Sequence, residues 1–253
     1  KKKSSVNINF VNIKNVFIVL NKYKPDIIVN LICFSDVEQC EKNIEMAYDL
    51  NTRVVKNIAS WVLKSNKKTR LVQISTDHVY NKITLSPENK VNLVNNYAIT
   101  KYLGEKEALK AKGIVLRTNF FASPKKIKRG LISWLLDAHT KKQKIQLVSD
   151  IFFNPVHIST LCKVIEKCFS KKYSGIVNVG SKNFMSKKEF IIKTMKHLGL
   201  KINRYESIDY ENLKNYKCAR PRYMLMNSDK LKMILKFKVP NLKDEIKKIK
   251  NEI

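Results

Sequence analysis

"TRLVQISTDHVY", residues 69–80, decides the fold. Its first half is short and nearly continuously apolar, carrying Leu71, Val72 and Ile74. That is how a strand buried on both faces of a parallel sheet reads, because neither face alternates with solvent. Its second half turns polar at Ser75, Thr76 and Asp77. The polar residues therefore stand at the carboxyl end of a strand, where open α/β sheets bind ligands. Taken alone, the same three residues read first as caps of the next helix or turn.

Working outward, four more runs have the same character: "DIIVNLI" (26–32), "GIVLRT" (113–118), "IQLVSD" (145–150) and "GIVNVG" (175–180). Between them, Met46, Leu50, Val54, Ile58 and Val62 recur every four residues, giving one apolar helix face. A second helical pattern runs from Tyr97 to about Lys112. Strand and helix alternation predicts an α/β fold with a doubly wound, Rossmann-like parallel sheet. After residue 119 the rhythm loosens into a basic loop, "SPKKIKRG" (123–130), and a helix over residues 131–140. Next comes "FFNPVHIST" (152–160), with Ser159 or Thr160 capping a helix start. Two further helices follow, over "MSKKEFIIKTMKHLGL" (185–200), ending near Gly199, and "PNLKDEIKKIKNEI" (240–253). The expected organisation is a Rossmann-like domain over residues 1–150, with a smaller substrate lobe over most of 151–253 and the chain crossing back to the sheet.

Composition narrows the function classes. The formal charge is +29, but the excess is spread along the chain as lysine, with only seven arginines. A nucleic-acid reader relies more on arginine, whose planar fork recognises bases and phosphates bidentately. No specific nucleic-acid partner is expected. No apolar run reaches the roughly 18 residues of a membrane span, and the start has no apolar signal-peptide core. The five cysteines show no paired or zinc-like spacing, which points to free thiols in a reducing cytoplasm. The histidines are dispersed, and no metal site is expected.

Tyr97 and Lys101 lie four apart at the start of a helix and so share a face. The pair reads either as an ordinary surface contact or as an acid–base couple. A phenol with its ordinary pKa near 10 holds its proton too tightly at neutral pH. A neighbouring ammonium favours the phenolate and corrects this.

The order of these stretches resembles the extended short-chain dehydrogenase/reductase family, and within it the dTDP-4-dehydrorhamnose reductases and their sugar-nucleotide relatives. The resemblance rests on "KPDIIVNLICFSDVEQCE" (24–41), "DLNT" (49–52), "ISTDHVY" (74–80), "YAITKYLGE" (97–105), "SDIFFNPVHIST" (149–160) and "ARPRYMLMNSDKL" (219–231). It implies reduction of a 4-keto sugar nucleotide by NADPH or NADH in surface-polysaccharide synthesis. It also implies a proton donor in Tyr97, its tuner and cofactor anchor in Lys101, and a carbonyl polariser in Thr76. Asn30, Ile32, Ser35, Asn51 and Thr118 would line the cofactor groove beside Lys101. Asp77, Asn119, Phe120, Asn154 and Arg220 would shape the nucleotide-sugar pocket, with Pro155 and Pro221 beside them and Arg220 as a diphosphate partner. Phe120 stands where relatives often carry tryptophan. The expected assembly is a homodimer. An epimerase or dehydratase on the same fold, and a non-catalytic regulatory subunit, are the competing readings. The six glycines begin only at Gly104, so the Gly-rich phosphate turn of such a sheet has no counterpart. The resemblance therefore carries the expectation of an N-terminally incomplete sheet that binds the cofactor poorly.

Overall fold

The computed structural model describes residues 6–65, 67–123, 130–170, 172–200, 205–213 and 217–249. The basic stretch of the 123–130 loop and the last four residues of the 240–253 helix lie outside the described residues. Two compact units interleave along the chain. The first comprises Lys1–Ser75, Asn95–Val115 and Lys172–Gly175; the second comprises Thr76–Val94, Leu116–Lys171 and Ile176–Ile253.

The main sheet has the order β1 (Ile27–Asn30), β2 (Arg70–Thr76), β3 (Ile114–Thr118) and the strand Gly175–Val179. β1 pairs with β2 in parallel, Ile27 opposite Arg70 and Asn30 opposite Gln73. The long apolar runs form these strands because their side chains are enclosed: Leu71 and Val72 of β2 are buried, as is every residue of β3. In one respect the sequence expectation fails. Ile145–Val148 does not join this sheet but pairs in parallel with Tyr205–Ile208. Its side chains enter a different core, formed with Phe153, Phe190 and Met195.

In the first unit, α1 (Ile13–Tyr23) precedes β1, and α2 (Val37–Lys42) and α3 (Ile44–Tyr48) follow it. A π turn, Asp49–Arg53, then leads into α4 (Val54–Lys64), and α5 (Asn96–Lys110) precedes β3. The π turn corrects the apolar stripe expected from Met46 to Val62. One extra residue in the turn rotates the positions before it away from those after it. Val54 and Ile58 are buried together with Val55 and Trp61, whereas Met46 remains exposed and Ala47 takes the inward position. α5 lies directly on the π turn. A Cβ placed on Gly104 would stand 2.2 Å from the Asn51 carbonyl oxygen, so only glycine admits this approach.

The second unit is held by a buried polar hub as well as by its apolar core. The Arg117 guanidinium, fully enclosed, donates to the Tyr80 hydroxyl (2.7 Å) and the Glu88 carbonyl (2.8 Å). Tyr80 donates onward to Asn178 Oδ1 (2.7 Å). Helix Ile158–Phe169 is capped by the His157 side chain rather than by Ser159 or Thr160, since the ring accepts from Ser159 N. Helix Lys187–His197 carries the capping box of Ser186 and Glu189.

Gly104→Ala forces the added methyl against backbone that cannot yield. The expected cost is about 3 kcal/mol, a fall in Tm of about 5–10 °C, measurable by thermal denaturation. An unchanged Tm would mean that α5 does not rest on the π turn.

Candidate functional site

Lys101 and Tyr97 come to one face of α5, both buried. The Lys101 ammonium donates to the Ile74 carbonyl at 2.7 Å, near the end of β2. An ammonium has three donors, so two remain for another partner. The next residue, Ser75, donates to the wholly buried Glu105 at 2.5 Å. Glu105 lies one turn past Lys101 and was legible as a polar residue on the Tyr97–Lys101 face, although sequence reasoning gave it no role.

Asn51 sits on the π turn with both ends of its amide engaged. Its oxygen accepts from Phe34 N (2.8 Å), and its nitrogen donates to Phe34 O (3.1 Å) and Thr100 Oγ1 (3.1 Å). Asn30 donates to Gln73 Oε1 (2.8 Å) and accepts from Ile32 N (3.2 Å). These two asparagines hold the loop after β1, leaving Ile32 half-buried and Ser35 exposed on it.

In the second unit, Thr76 caps a short turn by accepting from His78 N at 3.1 Å. Asp77 is buried and accepts from Asn119 Nδ2 at 2.7 Å. Thr118 donates to the Val179 carbonyl at 3.0 Å. Phe120 is 41 % exposed. Asn154 is buried and spends its amide on the backbone of Ser181 and Met226, clamping two loops. Arg220 is half-buried, and its backbone N–H donates to the Tyr210 hydroxyl (2.8 Å). The next arginine, Arg222, pairs with Asp150 at 2.5 Å, holding this segment in place.

Charge in this unit is unusually enclosed. Burial pushes Asp77 up to about 7 against the pull of Asn119 and Lys187. Burial, with Arg220 nearby, brings Lys187 down to about 8, while Asp77 opposes the fall. Burial and the cations Lys187 and Arg220 bring His78 down to about 3, so its ring is neutral. A cavity of about 490 Å³ lies in the same unit, lined by Trp134, Gln146, Val148, Lys187, Ile191 and Glu206 among others. Its size suits a small organic ligand. Lys187 was missed at the sequence level because it opens a helix beside another lysine and reads as a solvated end.

The residues present fit the nicotinamide side of a dinucleotide, as the two unspent donors of buried Lys101 suit a ribose diol. They do not supply the pyrophosphate turn, because no Gly-rich strand-to-helix turn occurs among the described residues. No group of acidic, histidine or cysteine side chains among the described residues could hold a metal ion, and none of their helices could cross a membrane.

Residues 2–253 match the RmlD substrate binding domain. The chain belongs to this family. It is 27 % identical to the spore coat polysaccharide biosynthesis protein SpsK of Bacillus subtilis over 228 residues, covering 87 % of this chain and 77 % of that protein. The probable low-salt glycan biosynthesis reductase Agl14 of Haloferax volcanii is 20 % identical, with 94 % and 81 % covered. Among solved structures, a dTDP-4-dehydrorhamnose reductase of Clostridium acetobutylicum superposes with a TM-score of 0.88 at 22 % identity, covering 97 % of this chain and 87 % of that one. The enzyme of Bacillus anthracis, solved with NADP, gives the same values. These likenesses bear out the α/β, Rossmann-like fold.

Asp77 makes a pH-dependent prediction. Its carboxyl holds a proton to about pH 7 when folded, against 3.8 ordinarily. Between those values the unfolded chain binds fewer protons, so this group's contribution to stability falls as pH rises and is fully lost above pH 7. Asp77→Asn, a neutral mimic, is expected to raise Tm at pH 8 and to change it little at pH 4. A difference in Tm independent of pH would contradict the buried acid.

Proposed function

We propose that this chain carries the reductase chemistry of its family: reduction of a 4-keto sugar nucleotide with NADPH or NADH, in the synthesis of a surface polysaccharide or glycan. The observation that carries the proposal is the setting of Lys101. It is buried one turn beyond Tyr97, tied to the end of β2, and has donors to spare.

A reduced nicotinamide, when bound, supplies a hydride to the carbonyl carbon. Tyr97 then gives its phenolic proton to the oxygen. Lys101 stabilises the phenolate left behind and holds the ribose. Thr76 donates a hydrogen bond to the carbonyl oxygen as negative charge grows there. Asn30, Ile32, Ser35, Asn51 and Thr118 shape the cofactor side, the asparagines by fixing backbone. Asp77, Asn119, Phe120 and Asn154 shape the sugar side, and Arg220 faces the diphosphate. Residues up to about 150 serve mainly the cofactor, and the remainder serves the nucleotide sugar. The assembly is a homodimer in the cytoplasm, where the five free thiols remain reduced.

Tyr97→Phe is expected to lower kcat at least about 100-fold, with KM within a few-fold, followed as NADPH oxidation at 340 nm. Retention of more than about a third of kcat would remove Tyr97 from the chemistry. Lys101→Met is expected to weaken cofactor binding and to move the pH–rate profile upward, because the phenol loses its cationic neighbour. An unchanged profile at saturating cofactor would assign the lysine a structural role only.

A further inference from the structure

α5 has no single apolar stripe to orient it. Its buried positions include Tyr97, Thr100, Lys101 and Glu105, which are polar or half-polar. Hydrophobic burial is non-directional, so the seating of such a helix depends on directed polar contacts. Most lie along its middle: Asn51 and Thr52 hold Thr100, and Lys101 and Glu105 hold β2. The first turn, where Tyr97 stands, is held differently. Asn95 accepts from Ala98 N at 2.8 Å, an ordinary cap. Asn96, immediately before Tyr97, donates its backbone N–H to Glu41 Oε1 at 2.7 Å and its side-chain amide to Glu41 Oε2 at 2.7 Å. One carboxylate thus spends both oxygens on one residue, in charge-assisted bonds at a helix N-terminus, where a negative charge is favoured.

Glu41 belongs to α2, which follows directly on the loop pinned by Asn30 and Asn51. Asp36, the cap of α2, accepts from Gln39 N. α2 thus runs from that loop to Glu41, which meets the start of α5.

We infer that Glu41 is the positioning residue for Tyr97: its carboxylate clamps Asn96 at two points, sets where the phenol stands, and ties that setting to loop 31–36. Its consequence for turnover rests on the reductase function proposed above. Glu41 touches no reacting atom. Its effect runs through placement, and a displacement of about 1 Å at a proton donor costs on the order of 100-fold in rate.

The test uses the full chain with Glu41→Gln, Glu41→Asp, Asn96→Ala and the Gln/Ala double variant. A glutamine amide must set a donor against a donor of Asn96, so one of the two bonds is lost with the charge. Glu41→Gln is expected to lower kcat by about 10–100-fold while the sugar-nucleotide KM and the NADPH Kd stay within threefold and Tm changes little. Glu41→Asp, shorter by one methylene and still charged, should fall between Gln and the unsubstituted protein. The double variant should be no worse than Glu41→Gln, since both remove the same clamp. A kcat within twofold of the unsubstituted protein, a parallel loss of NADPH affinity, or additive losses would each overturn the assignment. Hydrogen exchange over residues 95–99, which requires no turnover, should quicken in Glu41→Gln while β2 stays protected; unchanged exchange would also overturn it. A chain that reduces no 4-keto sugar nucleotide would refute the reductase function, and the exchange result would still decide the clamp.

Discussion

The first unit depends on the contact between α5 and the π turn at Asn51. The two backbones approach so closely that a side chain at residue 104 has no room, and a methyl there would meet a carbonyl oxygen at 2.2 Å. Once that approach is made, the rest of the helix can engage. Thr100 comes within reach of the Asn51 amide and the Thr52 hydroxyl, Lys101 reaches the end of β2, and Glu105 reaches Ser75. The π turn has an extra residue per turn, which turns Asn51 toward both the loop after β1 and α5.

The second unit shows how burial and charge contend. Lys187 feels both Arg220 and Asp77, and burial drives both Asp77 and Lys187 toward their neutral forms. With Arg220 beside Lys187, and the Asp77 carboxyl holding its proton to near neutrality, the balance of this group is positive. A cavity with Trp134 and Ile191 on its wall and Lys187 among its lining offers apolar surface and a cation together. That combination suits a ligand with a flat organic part and an anionic part. The Arg117–Tyr80–Asn178 hub behaves differently. There every partner is neutral or paired through hydrogen bonds, and the network braces loops instead of leaving charge for a ligand.

Much of the fold was legible in the chain. The apolar runs became strands within a residue or two of their expected ends, as at Arg70–Thr76 and Ile114–Thr118, because a doubly buried strand has no polar face to confuse the pattern. The helix over residues 131–140 appeared at Leu131–Thr140. Ile145–Val148 was equally apolar yet entered a separate two-stranded sheet. Apolar character states that a strand is buried, not which strand it pairs with. The spacing of Tyr97 and Lys101 placed them on one helical face, and α5 shows them there.

What the sequence determined by itself is local: which segments are strands or helices, where polar residues close a strand, and which side chains share a helix face. These follow from periodicity, since a strand repeats every two residues and a helix every 3.6. The tertiary structure alone decided the π turn, the seat of α5 on Asn51, the grip of Glu41 on Asn96, and the enclosure of Asp77 and Lys187. Each of these joins residues far apart in the chain, or depends on how much protein surrounds a charge. The energy of a hydrogen bond or of a buried ion is set by its surroundings in space, which a linear pattern of residue types does not contain.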